Sequence, residues 1–309
     1  MVLRFLIGNV LTVGHKTIQT NVKASIVSDL QAKQLAMNSK FNGEEVGVLQ
    51  NNNENFVFNE LTRKMFVLFR KMELNRIKRA EKKSTDESVM NEKLALVFES
   101  TFIVGSLKVD VWVLMIPVVV IVHGNQEPKS WATITWDNAF AEVNRDPYDV
   151  PDKVLWSRLA EVLKRKFHAE TGCDLSTDNL IFLCEKVFNQ SLPDKKLPDN
   201  LWISLSQFYK EPLPGRLFTF WEWFFAAMRL TRTHLRGPWK DGLICGFISK
   251  YEAESNLAQC ANGTFLLRFS DSELGEFVLL FSFLVEASPK NSFSKTHSVH
   301  FKLIIVMTK

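Results

Sequence analysis

The chain has 309 residues, enough for two or three domains, and its 46% hydrophobic and 23% charged residues are those of an ordinary globular protein rather than a disordered or fibrous one. A formal net charge of +4 is too mild to demand a nucleic-acid partner. The four cysteines, Cys173, Cys184, Cys245 and Cys260, are sparse and scattered, show no metal-ligand spacing, and fit reduced core thiols in a cytosolic or nuclear protein.

The amino-terminal part, to about residue 147, reads as β-structure. Runs rich in Val, Ile, Phe and Thr at residues 2–11, 21–27, 56–58, 65–69, 94–104, 107–122 and 132–136 predict short strands. Gly43, the Asn51, Asn52 and Asn53 cluster, Gly105, and Gly124 with Asn125 punctuate them. One helix is expected after Ser28, which is placed to cap it. The pattern argues for a sandwich or barrel. Arg4 and a short apolar run open the chain, but Asn9 interrupts it and no small-residue cleavage site follows, so no secretory signal is expected. Residues 111–122 are strongly apolar, yet too short to span a bilayer and broken by Pro117. No membrane partner is expected. From Arg63 to Lys83 nine basic residues stand against Glu73 and Glu81 alone. Such a run meets phosphates or forms a solvated strand edge, and the residues themselves leave both open.

Near Asp146 the texture changes. Pro151 and Asp152 predict a helix start, with Leu155, Leu159, Val162, Leu163 and Phe167 on one face. A second helix is expected after Ser176, with Leu180, Leu183, Val187 and Phe188 inward. A third begins at Thr219, which forms a capping-box pair with Glu222. Residues 148–240 therefore read as a helical domain, whose tryptophans are packing residues. From Asp241 the expected order is a helix over 243–257, then a strand over 264–269.

No phosphate-binding glycine loop, dinucleotide fingerprint, zinc-protease or nucleophile-elbow motif occurs, so neither catalysis nor a cofactor is expected. His297 and His300 have a spacing that could hold a metal, but no third ligand is indicated, and no metal site is expected.

The most informative segment is Gly263-Thr264-Phe265-Leu266-Leu267-Arg268-Phe269-Ser270-Asp271-Ser272. Phe265, Leu267 and Phe269 share one face of the strand; Leu266, Arg268 and Ser270 share the other. An arginine among apolar neighbours either lies on a solvent face or holds an anion, and its guanidinium fork suits a phosphate. The Ser-Asp-Ser turn offers hydroxyl and backbone N–H donors to the same anion.

This segment resembles the phosphotyrosine-binding strand and loop of a Src-homology-2 (SH2) domain in the form found in STAT proteins, the signal transducers and activators of transcription. Trp239-Lys240-Asp241-Gly242 and Gly246-Phe247-Ile248-Ser249-Lys250 resemble the entry and first helix of that domain. LMIPVVVIVHG at 114–124, WDNAFAE at 136–142 and VPDKVLW at 150–156 resemble the DNA-binding and linker regions. The resemblance runs from about residue 2 to about residue 275 and is strongest to the branch answering prolactin and growth hormone.

It implies an all-β immunoglobulin-like barrel at 1–147 that lacks its first strand, an all-α linker at 148–240, and a truncated α/β SH2 domain at 241–309, with a divergent tail after Gly275. It maps the bidentate phosphotyrosine ligand onto Arg268, the loop ligands onto Ser270, Asp271 and Ser272, and the helix lysine onto Lys250. It maps the base-facing loop onto His123, Gly124, Asn125 and Gln126, and phosphate contacts near Lys40, Lys78 and Arg79. The implied partners are a palindromic double-stranded DNA site and phosphotyrosine segments of a receptor or a second copy, in a homodimer acting in cytosol and nucleus. The implied function is a transcription factor of cytokine-receptor (JAK–STAT) signalling. On this resemblance the chain reads as a fragment: the amino-terminal domain, the coiled coil and the phosphorylated tyrosine lie outside it, and weak phosphopeptide binding is expected from its altered tail. The other reading is a truncated phosphotyrosine adaptor or decoy without transcriptional activity.

Overall fold

The computed structural model of the chain describes residues 2–5, 21–38, 46–59, 61–62, 64–78, 91–104, 106–192 and 195–282, and divides into two units, Met1–Val150 and Pro151–Lys309. In the first unit, β-branched and aromatic runs between polar breaks form strands. In chain order these are β1 (Val2–Phe5), β2 (Asn21–Ser28), helix α1 (Asp29–Asn38), β3 (Gly47–Gln50), β4 (Asn53–Asn55), β5 (Val57–Asn59), β6 (Lys64–Leu68), β7 (Glu73–Ile77), β8 (Leu94–Val104) and β9 (Leu107–Leu114). They make antiparallel sheets in the orders β4-β2-β8-β9, β1-β6-β5 and β3-β7. The β2–β8 register sets Ala24 against Phe98 and Val27 against Ala95.

Both faces of this central pair are covered, which explains its near-continuous apolar sequence. Val22, Ala24 and Phe98 pack with Val67 and Phe69 on one face. Val27, Ala95 and Val97 pack with Ala32, Leu35 and Tyr148 on the other. Helix α1 starts where expected. The Gln31 amide donates to Ser28 Oγ at 3.3 Å, and the Ser28 amide donates to Gln31 Oε1 at 3.1 Å.

One expected strand is a helix. Residues 132–136 lie inside α2 (Glu127–Phe140). The Thr-Ile-Thr run has strand-like composition, but Ala132, Thr133, Trp136 and Phe140 are buried at helical spacing, and Pro128 sits in the first turn. Trp136 and Phe140, one turn apart, meet edge to face at 4.8 Å. Tertiary burial of that stripe outweighs β-propensity.

The second unit contains β10 (Lys153–Leu155), α3 (Trp156–Thr171), α4 (Thr177–Phe188), β11 (Trp202–Ser204), α5 (Leu205–Tyr209), α6 (Phe220–Leu230), α7 (Arg236–Lys240), α8 (Lys250–Ala258), β12 (Phe265–Phe269) and β13 (Phe277–Phe281). A π-helical turn, Thr231–Leu235, joins α6 to α7. The helix expected from Pro151 starts later, at Trp156. Residues 153–155 first pair with β11, setting Val154 against Ile203, with both side chains buried. The caps at Ser176 and Thr219 form as expected; the Glu222 amide donates to Thr219 Oγ1 at 3.2 Å and the Thr219 amide to Glu222 Oε2 at 2.9 Å.

The helix expected over 243–257 is confined to α8. Residues 245 and 246 instead run beside β12: the Cys245 amide donates to the Leu267 carbonyl at 3.0 Å and the Phe269 amide to the Gly246 carbonyl at 2.9 Å. Gly246 has φ of +69°, and a Cβ there would stand 2.5 Å from the Trp239 ring, so only glycine fits. Ser249 then caps α8, its Oγ accepting from the Glu252 amide at 3.1 Å. Between α3, α6 and β12 lies an aromatic core in which Phe247 meets Phe269 at 4.7 Å, Trp223 at 5.3 Å and Phe167 at 5.8 Å.

Candidate anion site and nucleic-acid interface

Strand β12 is covered on both faces. Leu266 packs with Ala253 and Leu257 of α8 and with Val278 and Leu280 of β13. Phe269 enters the aromatic core. Arg268 shares the Leu266 face, so its side chain runs under α8 and is only 5% exposed. The solvent-face alternative for this arginine does not hold.

A buried guanidinium must find acceptors. Arg268 Nη1 donates to the Ile248 carbonyl at 2.8 Å and to Asp271 Oδ2 at 3.0 Å. Its Nε is buried and finds no hydrogen-bond acceptor among the described residues, and neither does Asp271 Oδ1 find a donor. The pair is therefore single-pronged, with a buried donor, Nε, and a buried acceptor, Oδ1, left over. Ser270 is buried; its Oγ lies 3.4 Å from Ser272 Oγ and accepts from the Ser272 amide at 3.4 Å. Arg268, Ser270, Asp271 and Ser272 are thus brought together. Asp271 contributes its carboxylate as a competitor for the fork rather than as a donor. Lys250 is the first residue of α8, exposed, and pairs along its own helix with Glu254 at 3.5 Å.

Three residues of this site were not found by the motif. Lys186 of α4 donates to the Asp271 carbonyl at 3.2 Å and stands 3.8 Å from Asp271 Oδ1, while its ammonium lies 4.4 Å from the Trp223 ring centroid. Burial pushes its ammonium below the ordinary lysine range; Asp271 pulls the other way, and Arg216 and Arg268 add to the depression. The Trp223 indole N–H donates to the Ser270 carbonyl at 2.8 Å. Asn179 Nδ2 reaches the carbonyls of Cys245 at 3.2 Å and Phe247 at 3.3 Å, tying α4 to the segment beside β12. Of the three, only Asn179 left a local signal, as the partner of the Ser176 cap. A cavity of about 340 Å³ opens beside the loop, lined by Lys186, Arg216, Ser249 and Asp271 among others.

The strand after Gly275 continues the sheet. β13 pairs antiparallel with β12, setting Arg268 against Val278 and Phe269 against Phe277.

In the first unit, His123 and Asn125 are exposed on a 3-10 turn, Gly124–Gln126, that leads into α2. Gln126 Oε1 accepts from the amides of Val122 at 2.9 Å and His123 at 3.2 Å, so its carbonyl holds the turn while its amide nitrogen remains the group to offer outward. Lys78 is exposed just beyond β7, and its amide donates to the Val46 carbonyl at 2.7 Å. Lys64, Arg70, Lys71 and Arg76 are also exposed on and between β6 and β7. Lys40 and Arg79 lie outside the described residues, as do His297 and His300.

Residues 1–121 match the family described as STAT protein, DNA binding domain. Residues 143–224 match signal transducer and activator of transcription, linker domain. Residues 243–302 match the SH2 domain, so that match runs past Gly275 rather than stopping there. The chain is 48% identical over 280 residues to a Drosophila melanogaster protein named signal transducer and transcription activator, covering 88% of this chain. It spans 36% of that relative's length. Two family-specific domains in order, an SH2 domain after them and this level of identity lead to one conclusion: the chain belongs to the STAT family, the signal transducers and activators of transcription.

Proposed function

We propose that this protein is a sequence-specific DNA-binding transcription factor of cytokine and receptor tyrosine kinase (JAK–STAT) signalling, dimerising through SH2–phosphotyrosine contacts and acting in the nucleus after activation in the cytoplasm. Residues 1–147 serve as the DNA-binding β-rich domain, 148–240 as the linker, and the SH2 domain starts at 241. Arg268 is the main phosphate ligand, with Lys250, Ser270, Ser272 and the loop at Asp271 in support. His123, Asn125 and Gln126 face base edges, and Lys78 meets backbone phosphate, as the resemblance implies also for Lys40 and Arg79. A two-fold dimer suits a palindromic duplex.

The observation that carries this reading is the buried Arg268 with its unfilled Nε, beside a hydroxyl-bearing loop. A phosphate monoester has the charge and the oxygens that such a fork lacks. The test is a calorimetric titration of a tyrosine-phosphorylated peptide into the full-length protein. Arg268→Lys keeps the charge but loses the fork, and should weaken binding by about 2 kcal/mol, roughly 30-fold. Unchanged affinity in Arg268→Lys and in Arg268→Ala would remove Arg268 from the site. Phosphopeptide capture without binding of any duplex would favour an adaptor instead.

A further inference from the structure

The loop carboxylate of Asp271 sits between two cations that come from different parts of the chain. On one side is Arg268 of β12, 3.0 Å from Oδ2; on the other is Lys186 of α4, 3.8 Å from Oδ1. The first contact is made and the second is nearly made. The oxygen facing Lys186 is buried and accepts no hydrogen bond among the described residues. Lys186 is itself anchored, by its bond to the Asp271 carbonyl and by its place over Trp223. Trp223 holds the preceding carbonyl, that of Ser270.

An incoming phosphate needs the same guanidinium that Asp271 now occupies. Two anions on one Arg268 fork repel, and a half-buried carboxylate whose Oδ1 is out of water is costly to leave without a partner. Lys186 supplies that partner after a shift of less than one hydrogen-bond length. We propose that Lys186 is a positioning residue of the phosphate site: it takes the Asp271 carboxylate from Arg268 when phosphate arrives, so that occupancy of the site is transmitted to linker helix α4. This rests on the reading of Arg268 as the phosphate ligand. The exchange conserves charge pairing: phosphate replaces the carboxylate on Arg268, and the carboxylate neutralises Lys186. It also places a reporter, because the Trp223 indole lies against the ammonium that changes partner.

The test uses the whole chain labelled with nitrogen-15 at tryptophan and titrated with phenyl phosphate, the Trp223 indole signal being assigned by its loss in Trp223→Phe. In the wild type this signal should move as the site saturates. In Asp271→Asn no carboxylate is handed over, so the signal should stay still, while phenyl phosphate binds about threefold tighter for want of a competitor. Lys186→Met should weaken binding about tenfold, Lys186→Arg should retain it, and Lys186→Met combined with Asp271→Asn should bind like Asp271→Asn alone. A Trp223 signal that ignores saturating phenyl phosphate overturns the exchange. So does a Lys186→Met defect that persists in the double variant, which would mark a merely structural lysine. If Lys186→Met fails to fold, the wild-type and Asp271→Asn signals decide alone. Failure of the underlying reading looks different: either the wild type shows no saturable binding, or Arg268→Ala binds as the wild type does.

Discussion

Each unit buries a cluster of charges, and the two clusters are built differently. In the first unit Asp137 of α2 is 1% exposed, and both its oxygens are occupied: Oδ2 by Lys93 at 2.8 Å, Oδ1 by Arg145. The cations are satisfied as well, Lys93 by the Tyr148 carbonyl at 2.9 Å and Arg145 by the Asp149 carbonyl at 2.7 Å. In the second unit Arg268 and Asp271 meet through one contact and leave Nε and Oδ1 over. A saturated cluster has nothing to offer a ligand, and its energy is spent within the fold. An unsaturated one carries a standing cost that a ligand of complementary charge relieves. The difference separates an ion cluster that holds structure from one that awaits a partner.

The largest effect expected from this contrast is on stability. Asp137→Ala strands two half-buried cations and should lower the unfolding free energy by about 3–5 kcal/mol. Asp271→Ala removes one contact of a partly exposed carboxylate and leaves Arg268 its bond to the Ile248 carbonyl, so it should cost less, about 1–2 kcal/mol. Urea denaturation midpoints of the two variants check this. Equal losses would erase the distinction between the clusters.

A second contrast sets the buried fork against the exposed turn at His123. If the turn reads base edges, His123→Ala or Gln126→Ala should weaken a specific palindromic duplex by roughly 1–3 kcal/mol and leave random duplex binding intact. Lys78→Ala should weaken both and flatten the salt dependence. Gln126→Ala also removes the acceptor for the Val122 and His123 amides, so Gln126→Glu, which keeps that acceptor, separates turn geometry from base contact. Binding to both duplexes, measured in the full-length protein across a salt series, gives the answer. Equal losses on specific and random duplexes would refute base readout.

Legibility in the sequence followed the range of the interaction. The caps at Ser28, Ser176 and Thr219 each need a partner three residues on, and each forms as read. Arg268 and its loop lie within five residues, so one motif carries them. Lys186, Trp223 and Asn179 reach the same site from 85, 47 and 66 residues away, and nothing local marks their part in it; the cap at Ser176 marks Asn179 only as a helix start. Helix α2 was hidden because Thr-Ile-Thr-Trp is strand-like in composition, and only packing reveals its stripe at Ala132, Trp136 and Phe140. The segment after Gly275 looked foreign residue by residue. Yet Phe277, Val278 and Leu280 are buried, and a strand needs such burial and a register more than it needs particular residues.

The smallest expected effect comes from an ion pair at the exposed end of the scale. Glu252 of α8 meets Lys195 at 2.8 Å, their side chains being 35% and 54% exposed. Burial works to raise the Glu252 carboxyl, but hydrogen bonds from Lys195 and Ser249 outweigh it and hold the group below its ordinary value of 4.5. A carboxylate depressed in the folded state adds stability above its unfolded pKa and loses it as pH falls through the folded one. Lys195 is shifted the other way: the Glu252 hydrogen bond, against burial, raises it above 10.5. Its contribution is present below that value and disappears as pH rises through the folded pKa. Glu252→Gln keeps the side-chain acceptor that the Ser249 cap uses, so it removes the charge and little else. The wild type should exceed this variant by a few tenths of a kcal/mol between about pH 5 and 10, the usual worth of a solvent-screened pair. That margin should shrink on the acid side of 4.5, and salt should shrink it further. Thermal midpoints of both proteins from pH 3 to 7, at low and high salt, would show it. A margin of several kcal/mol, or one that grows on acidification, would mean that this pair belongs with the buried clusters and that exposure is a poor guide to what these charges do.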